Sequence, residues 1–203
     1  MKVCCIGTGP SLTLEQVQVA REKGFRLFGC NNVYQVVADL EVLYGCNQHW
    51  WQTYWNDPEH PLKDHQASKW TTSLPAAQEF QINWIGERWG EGLCTDENVI
   101  HHGHGSGYSL LGVAHKLGAS EICLIGYDMA YPRGYDGHRQ IPGGKRHFFG
   151  EYPQSIQHWP KRPWVDLLPL YKAINDQGLV KVTSCTPGSA LNDWIPYEDI
   201  HRL

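Results

Sequence analysis

Residues 4–12 read CCIGTGPSL, an apolar run that breaks into a Gly-x-Gly turn. A short, continuously apolar run is what a strand buried on both faces of a parallel sheet requires. The glycines that follow it, Gly7 and Gly9, leave no Cβ in the way of a phosphate or ribose approaching the backbone. As a dinucleotide-binding fingerprint the turn is incomplete, because Leu12 stands where the third glycine belongs. After the second apolar run, FRLFGC (25–30), a nicotinamide enzyme places an acid on the ribose hydroxyls; this chain places Asn31 and Asn32, neutral amides that both donate and accept. The pattern therefore argues for a nucleotide and against NAD. A P-loop is also disfavoured, since GGKRH (143–147) lacks Ser or Thr after its lysine and does not join a strand to a helix.

Working outward, the chain keeps one rhythm. TLEQVQVAREKG (13–24) predicts a helix with a Thr13/Gln16 capping box and Gly24 at its end. EVLYGC (41–46), EICLIGYD (121–128) and LVKVTSC (179–185) predict core strands, SGYSLLGVAHKLGA (106–119) an amphipathic helix, and WVDLLPLYKAIND (164–176) a helix with a proline kink. Strands alternating with helices predict an α/β fold: a doubly wound, mostly parallel, Rossmann-like sheet in a single domain over 1–203. Two stretches break the rhythm and are expected to be insertions: an aromatic-rich one at about 47–100 and a long lid loop at about 129–163.

Composition bounds the function. A net charge of −4 gives no global case for nucleic acid or an anionic membrane. The apolar runs are too short to span a bilayer, and residue 1 leads directly into a strand without a signal-peptide layout, so a cytoplasmic protein is expected. Seven scattered cysteines without a CxxC pair predict small buried residues in a reducing compartment, not a zinc site. Nine Trp and ten Tyr exceed the needs of one small core, which predicts rings lining a groove or pocket.

In an open parallel sheet, ligands bind beyond the carboxyl ends of the strands. That rule selects Gly7, Thr8, Gly9, Pro10, Ser11, Leu12, Asn31, Asn32 and residues 46–51 and 126–129. His101, His102 and His104 precede the helix that Ser106 and Gly107 open; a metal cluster or a polar loop both fit, and the loop is favoured because no helical i, i+4 pair fixes ligand geometry. Ser106 and the Gly107 amide at that helix start suit an anionic group. Asp128, ending a core strand, suits a ribose, a loop hydrogen bond, a cap or magnesium. Tyr131, Tyr135, His138, Arg139, Lys145, Arg146 and His147 could clamp a phosphate and supply a base near neutral pH, or form a solvated basic loop. His49, Trp50 and Trp51 could stack on a sugar or base, or pack a helix on the sheet.

The ordered series GTGPSL, Asn31–Asn32, Ser106–Gly107, AHKLGASEICLIGYDM (114–129), a later loop histidine and CTPGSAL (185–191) resembles the superfamily of bacterial lipooligosaccharide sialyltransferases and archaeal 6-hydroxymethylpterin diphosphokinase-like proteins. It is more similar still to small phage-encoded proteins labelled "morphogenetic". The resemblance implies that Gly7, Gly9, Pro10, Ser11 and Asn31, with Ser106 and Gly107, bind a nucleotide, that Tyr131 and Tyr135 assist a departing phosphate, and that His147 is the base. It implies a metal-independent glycosyltransferase using a nucleotide-sugar donor and a small-molecule or nucleotide acceptor, with no cofactor and no membrane, and with a homo-oligomer as one option. Two rival expectations remain: a Mg2+-dependent diphosphokinase, with Asp128 and Asp136 near the metal, and a non-catalytic nucleotide-binding or virion-assembly protein.

Overall fold

The computed structural model describes residues 1–103, 105–129, 145–156 and 166–203. Its centre is a seven-stranded sheet in which every pairing is parallel. The strands are β1 (Lys2–Ile6), β2 (Arg26–Cys30), β3 (Val42–Tyr44), β4 (Ser68–Thr71), β5 (Asn83–Trp84), β8 (Glu121–Ile125) and β9 (Lys181–Ser184); β6 (Gly86–Trp89) and β7 (Val99–His102) form a separate parallel pair. The order across the sheet is β5-β4-β3-β2-β1-β8-β9. The chain winds outward from β1 to β5, then returns to the other side of β1 at β8. The switch point lies between β1 and β8.

The apolar run of the opening stretch behaves as expected of a central strand. Val3 and Cys5 point to one face and Cys4 and Ile6 to the other, all fully buried. The first face packs on α4 (Ser106–Lys116), α5 (Leu168–Gln177) and Ile85, Leu93 and Ile100 around the small sheet. The second packs on α1 (Leu14–Glu22), α2 (Gln48–Tyr54) and Ala76 of α3 (Leu74–Phe80). Helices on both faces make the fold doubly wound, and its two cores bury most of the apolar side chains.

Local chemistry sets the ends of the elements. The Thr13 side chain accepts from Gln16 N while the Gln16 side chain accepts from Thr13 N, closing the capping box, and Gly24 adopts φ +76° after α1. Pro169 sits in the first turn of α5, where its missing N–H is no loss, so it starts that helix and does not kink it. The stretch 47–100 is not an insertion outside the sheet: it supplies β4 and β5, which extend the parallel ladder, together with α2, α3 and the small sheet. Their short, polar strands hid the continued winding. All seven cysteines are free, and every one except the partly exposed Cys46 is buried. Among the described residues no helix is long and apolar enough to cross a membrane.

Candidate functional site at the sheet's carboxyl edge

The turn after β1 is bound tightly to the end of β8. Gly7 N donates to Ile125 O at 2.9 Å and Gly9 N to Gly126 O at 2.8 Å. Ser11 donates to Asp128 Oδ2 through both Oγ, at 2.9 Å, and its backbone N, at 3.4 Å. The closeness explains the glycines: a Cβ on Gly9 would fall 1.8 Å from Asp128 Oδ2 and 2.6 Å from Gly126 O, while Gly126 itself adopts φ +69°. With Leu12 N donating to Gly9 O, four amides of the turn are engaged within the protein, and Pro10 has none to give. The turn is therefore not the open amide cradle that the sequence suggested. What it presents at the edge is side chains: the Thr8 and Ser11 hydroxyls and the Asp128 carboxylate.

The CTPGSAL segment braces the other side of this junction. Thr186 Oγ1 accepts from Tyr127 N at 3.0 Å, Ser189 Oγ donates to Tyr127 O at 2.6 Å, and Ala190 N donates to Asp128 O at 3.2 Å. Burial raises the Asp128 carboxyl above the usual range, and the Ser11 hydrogen bonds oppose that shift. The segment holds the strand end that carries Asp128, a role the sequence did not reveal.

Residues 145–156 fold over the turn. Phe148 N donates to Thr8 O at 2.9 Å, and His147 Nδ1 lies 2.9 Å from Thr8 Oγ1. The His147 ring stacks parallel on Phe149, with centroids 5.0 Å apart, and meets Tyr152 edge-on at 4.8 Å. Burial, and then the neighbouring Arg146 charge, push the imidazole down to about 4, with Glu151 and Thr8 pulling the other way. Held that low, the ring is neutral at pH 7. Arg146 pairs with Glu151 at 3.3 Å, and Lys145 is exposed.

One strand further, Asn31 holds a left-handed φ of +49° at the end of β2, a backbone state uncommon outside glycine and often found at functional sites. Cys46 Sγ, beyond β3, lies 3.2 Å from Ser106 Oγ at the start of α4. That contact puts the start of α4, with its positive dipole end, at this edge, where Gly105 caps the helix without a side-chain hydrogen bond. Tyr127 closes the gap between β8 and α4, its hydroxyl donating to Gly107 O at 3.1 Å.

Three expected contacts belong to the core instead. Asn32 is 1% exposed and accepts from Trp50 Nε1 at 2.7 Å, while Trp50 and Trp51 are 3% and 0% exposed on the inner face of α2. With Trp51 Nε1 donating to Gly45 O at 2.9 Å, the polar atoms of these rings are satisfied in the interior and are not offered at the surface. His49 alone of its trio is exposed. His101 Nδ1 lies 3.1 Å from the carbonyls of Glu91 and Gly92, and the His102 ring meets Trp89 edge-on. Among the described residues no three His, Cys, Asp or Glu side chains gather to hold a metal ion. His104, Tyr131, Tyr135, Asp136, His138 and Arg139 lie outside the described residues.

Fold and edge together define a class: a doubly wound, all-parallel α/β domain with polar side chains converging at the β1–β8 switch point. No family model matches the chain. No curated protein matches it in sequence. Solved structures do match its fold. The sialyltransferase CstII from Campylobacter jejuni, in complex with the substrate analogue CMP-3FNeuAc, superposes over 100% of this chain and 89% of its own, with a TM-score of 0.62 at 14% identity. A point variant of that sialyltransferase in complex with CMP covers 99% of this chain and 88% of its own at a TM-score of 0.59, and another variant, described as an alpha-2,3/8-sialyltransferase, does so at 0.56, each at 14% identity. At this identity the likeness establishes a shared fold.

Proposed function

We propose that the protein is a nucleotide-dependent transferase, and specifically a glycosyltransferase that uses a nucleotide-sugar donor without a metal ion. The observation that carries the proposal is the 2.9 Å contact between Thr8 and His147, which puts a neutral imidazole and the turn after β1 in one wall of the switch-point edge. The full-length fold likeness to sialyltransferases bound to CMP and to a CMP-sugar analogue supports the choice of donor. In the scheme, His147 Nδ1–H donates to Thr8 Oγ1, which leaves Nε2 free to take the proton of an acceptor hydroxyl. Buried and near Arg146, the resting ring is a weak base; a bound phosphate brings negative charge that raises its affinity for a proton. The base is thus strengthened when donor is present. The start of α4, Lys145 and Arg146, with Arg139, Tyr131 and Tyr135 from the adjoining segment, would stabilise the departing phosphate. Asn31, Ser11 and Asp128 would hold the nucleoside end. The phage resemblance extends the proposal to an acceptor hydroxyl on a modified nucleotide or DNA base.

Release of nucleotide from CMP-, UDP- and GDP-sugars, measured in the presence of a chelator, tests this. Turnover of at least one donor is expected, falling by about 100-fold or more in His147→Ala. Turnover of none, or an unaffected variant, would contradict the scheme.

A further inference from the structure

Among the described residues, two buried side-chain oxygens lack a hydrogen-bond partner: Thr183 Oγ1 and the Tyr152 hydroxyl. They are not equivalent. Thr183 lies inside β9, opposite Cys123 at the middle of β8, within the ladder of the central sheet. Tyr152 belongs to the segment folded over that edge. Its ring contacts His147 at 4.8 Å and Phe149 at 4.9 Å, between centroids. Its hydroxyl lies near Cys30, Tyr54, Asn31 and Cys46, over the ends of β2 and β3; the Asn31 side chain approaches it closely enough to favour the ionised form but does not meet hydrogen-bond geometry.

A phenol hydroxyl kept from water without a partner costs about 1–3 kcal/mol. Phenylalanine would supply the same ring contacts without that cost, so packing does not account for the oxygen. Its surroundings point to what does. Asn31, with its left-handed backbone, stands beside it, and Cys46 links the same spot to Ser106 at the start of α4. A phenol O–H is a donor, and with the start of α4 on the same edge the partner that suits it is an acceptor oxygen.

We propose that Tyr152 is a ligand-contacting residue whose hydroxyl donates to an oxygen of the bound nucleotide, on its ribose or its phosphate. This rests on the nucleotide proposal above and adds to it a contact that neither the motif series nor the turn contains. In the ligand-free protein the hydroxyl is a reserved donor: it weakens the empty fold and is satisfied on binding.

Thermal unfolding of wild type and Tyr152→Phe tests the assignment, alone and with CMP, UMP, AMP, GMP and their nucleosides. The empty variant is expected to melt at the wild-type temperature or above it. Its affinity for the nucleotide that stabilises wild type is expected to fall by about 3- to 10-fold. Loss on nucleoside and monophosphate alike assigns the contact to ribose; loss on the monophosphate alone assigns it to phosphate. A variant that melts below wild type when empty, or that binds with unchanged affinity, overturns the Tyr152 assignment and leaves the nucleotide proposal standing. A wild type indifferent to every compound overturns both.

Discussion

Acidification should expose the condition of His147. In the folded chain its imidazole is held at about 4, against 6.5 for the free side chain, mainly by burial and then by Arg146. Between those values the unfolded chain binds a proton that the folded chain refuses. Stability present above 6.5 is therefore lost as the pH falls toward 4, the direction required when the unfolded state binds more protons. From about pH 7.5 to about pH 5, the two titration curves differ by about 2 kcal/mol. Water at the exposed part of the ring screens this to between about 1 and 2 kcal/mol. His65 and His115, also held low by burial, and Asp128, held high by burial, add pH dependence of their own, so absolute stability does not isolate the effect. The difference between wild type and His147→Gln does, because those groups are common to both. Urea denaturation at the two pH values should show the wild type losing about 1–2 kcal/mol relative to the variant on acidification. A difference that stays flat would refute the buried, neutral imidazole and the proton-acceptor role built on it.

Three substitutions probe the surrounding framework. Gly9→Ala forces a methyl into Asp128 Oδ2 and Gly126 O, so the Ser11–Asp128 link should break, at a cost of about 2–3 kcal/mol by chemical denaturation. Trp50→Phe should cost about 1–3 kcal/mol because Asn32 Oδ1 loses its donor in the interior, while nucleotide affinity measured by calorimetry stays at the wild-type value; a loss of affinity would restore the stacking role. Ser189→Ala removes the bond to Tyr127 O and the cap on Leu191 N, and a loss of about 1–2 kcal/mol by urea denaturation is expected.

The parts of this architecture legible in sequence are those whose cause is local. β1 announced itself because a strand buried on both faces must be apolar throughout, and α1 because Thr13 and Gln16 carry their capping chemistry within four residues. The strands β4 and β5 did not, since SKWT and NW near a sheet edge have neither the length nor the apolar content that marks a core strand. At the site, strand ends could be placed, which located Thr8, Ser11, Asn31 and Asp128 on one edge. Which atoms remain available there is a long-range matter. Gly7 and Gly9 give their amides to Ile125 and Gly126 at the end of β8, more than a hundred residues away, and the Asn32 carboxamide oxygen accepts from Trp50. Adjacent asparagines look alike in sequence, yet one ends in the core and the other at the edge. Tyr152 escaped notice because its one signal, a hydroxyl without a partner, exists only in three dimensions. Its position five residues after His147 was the available hint.

A crystal structure of the protein soaked with the nucleoside monophosphate that best raises its melting temperature tests the central claim most directly. The account predicts density across the carboxyl edge, within hydrogen-bond distance of Asn31, the Thr8 or Ser11 hydroxyl and the Tyr152 hydroxyl, with the phosphate toward the start of α4 and His147. Density elsewhere on the molecule, or an empty edge at saturating nucleotide, would contradict it.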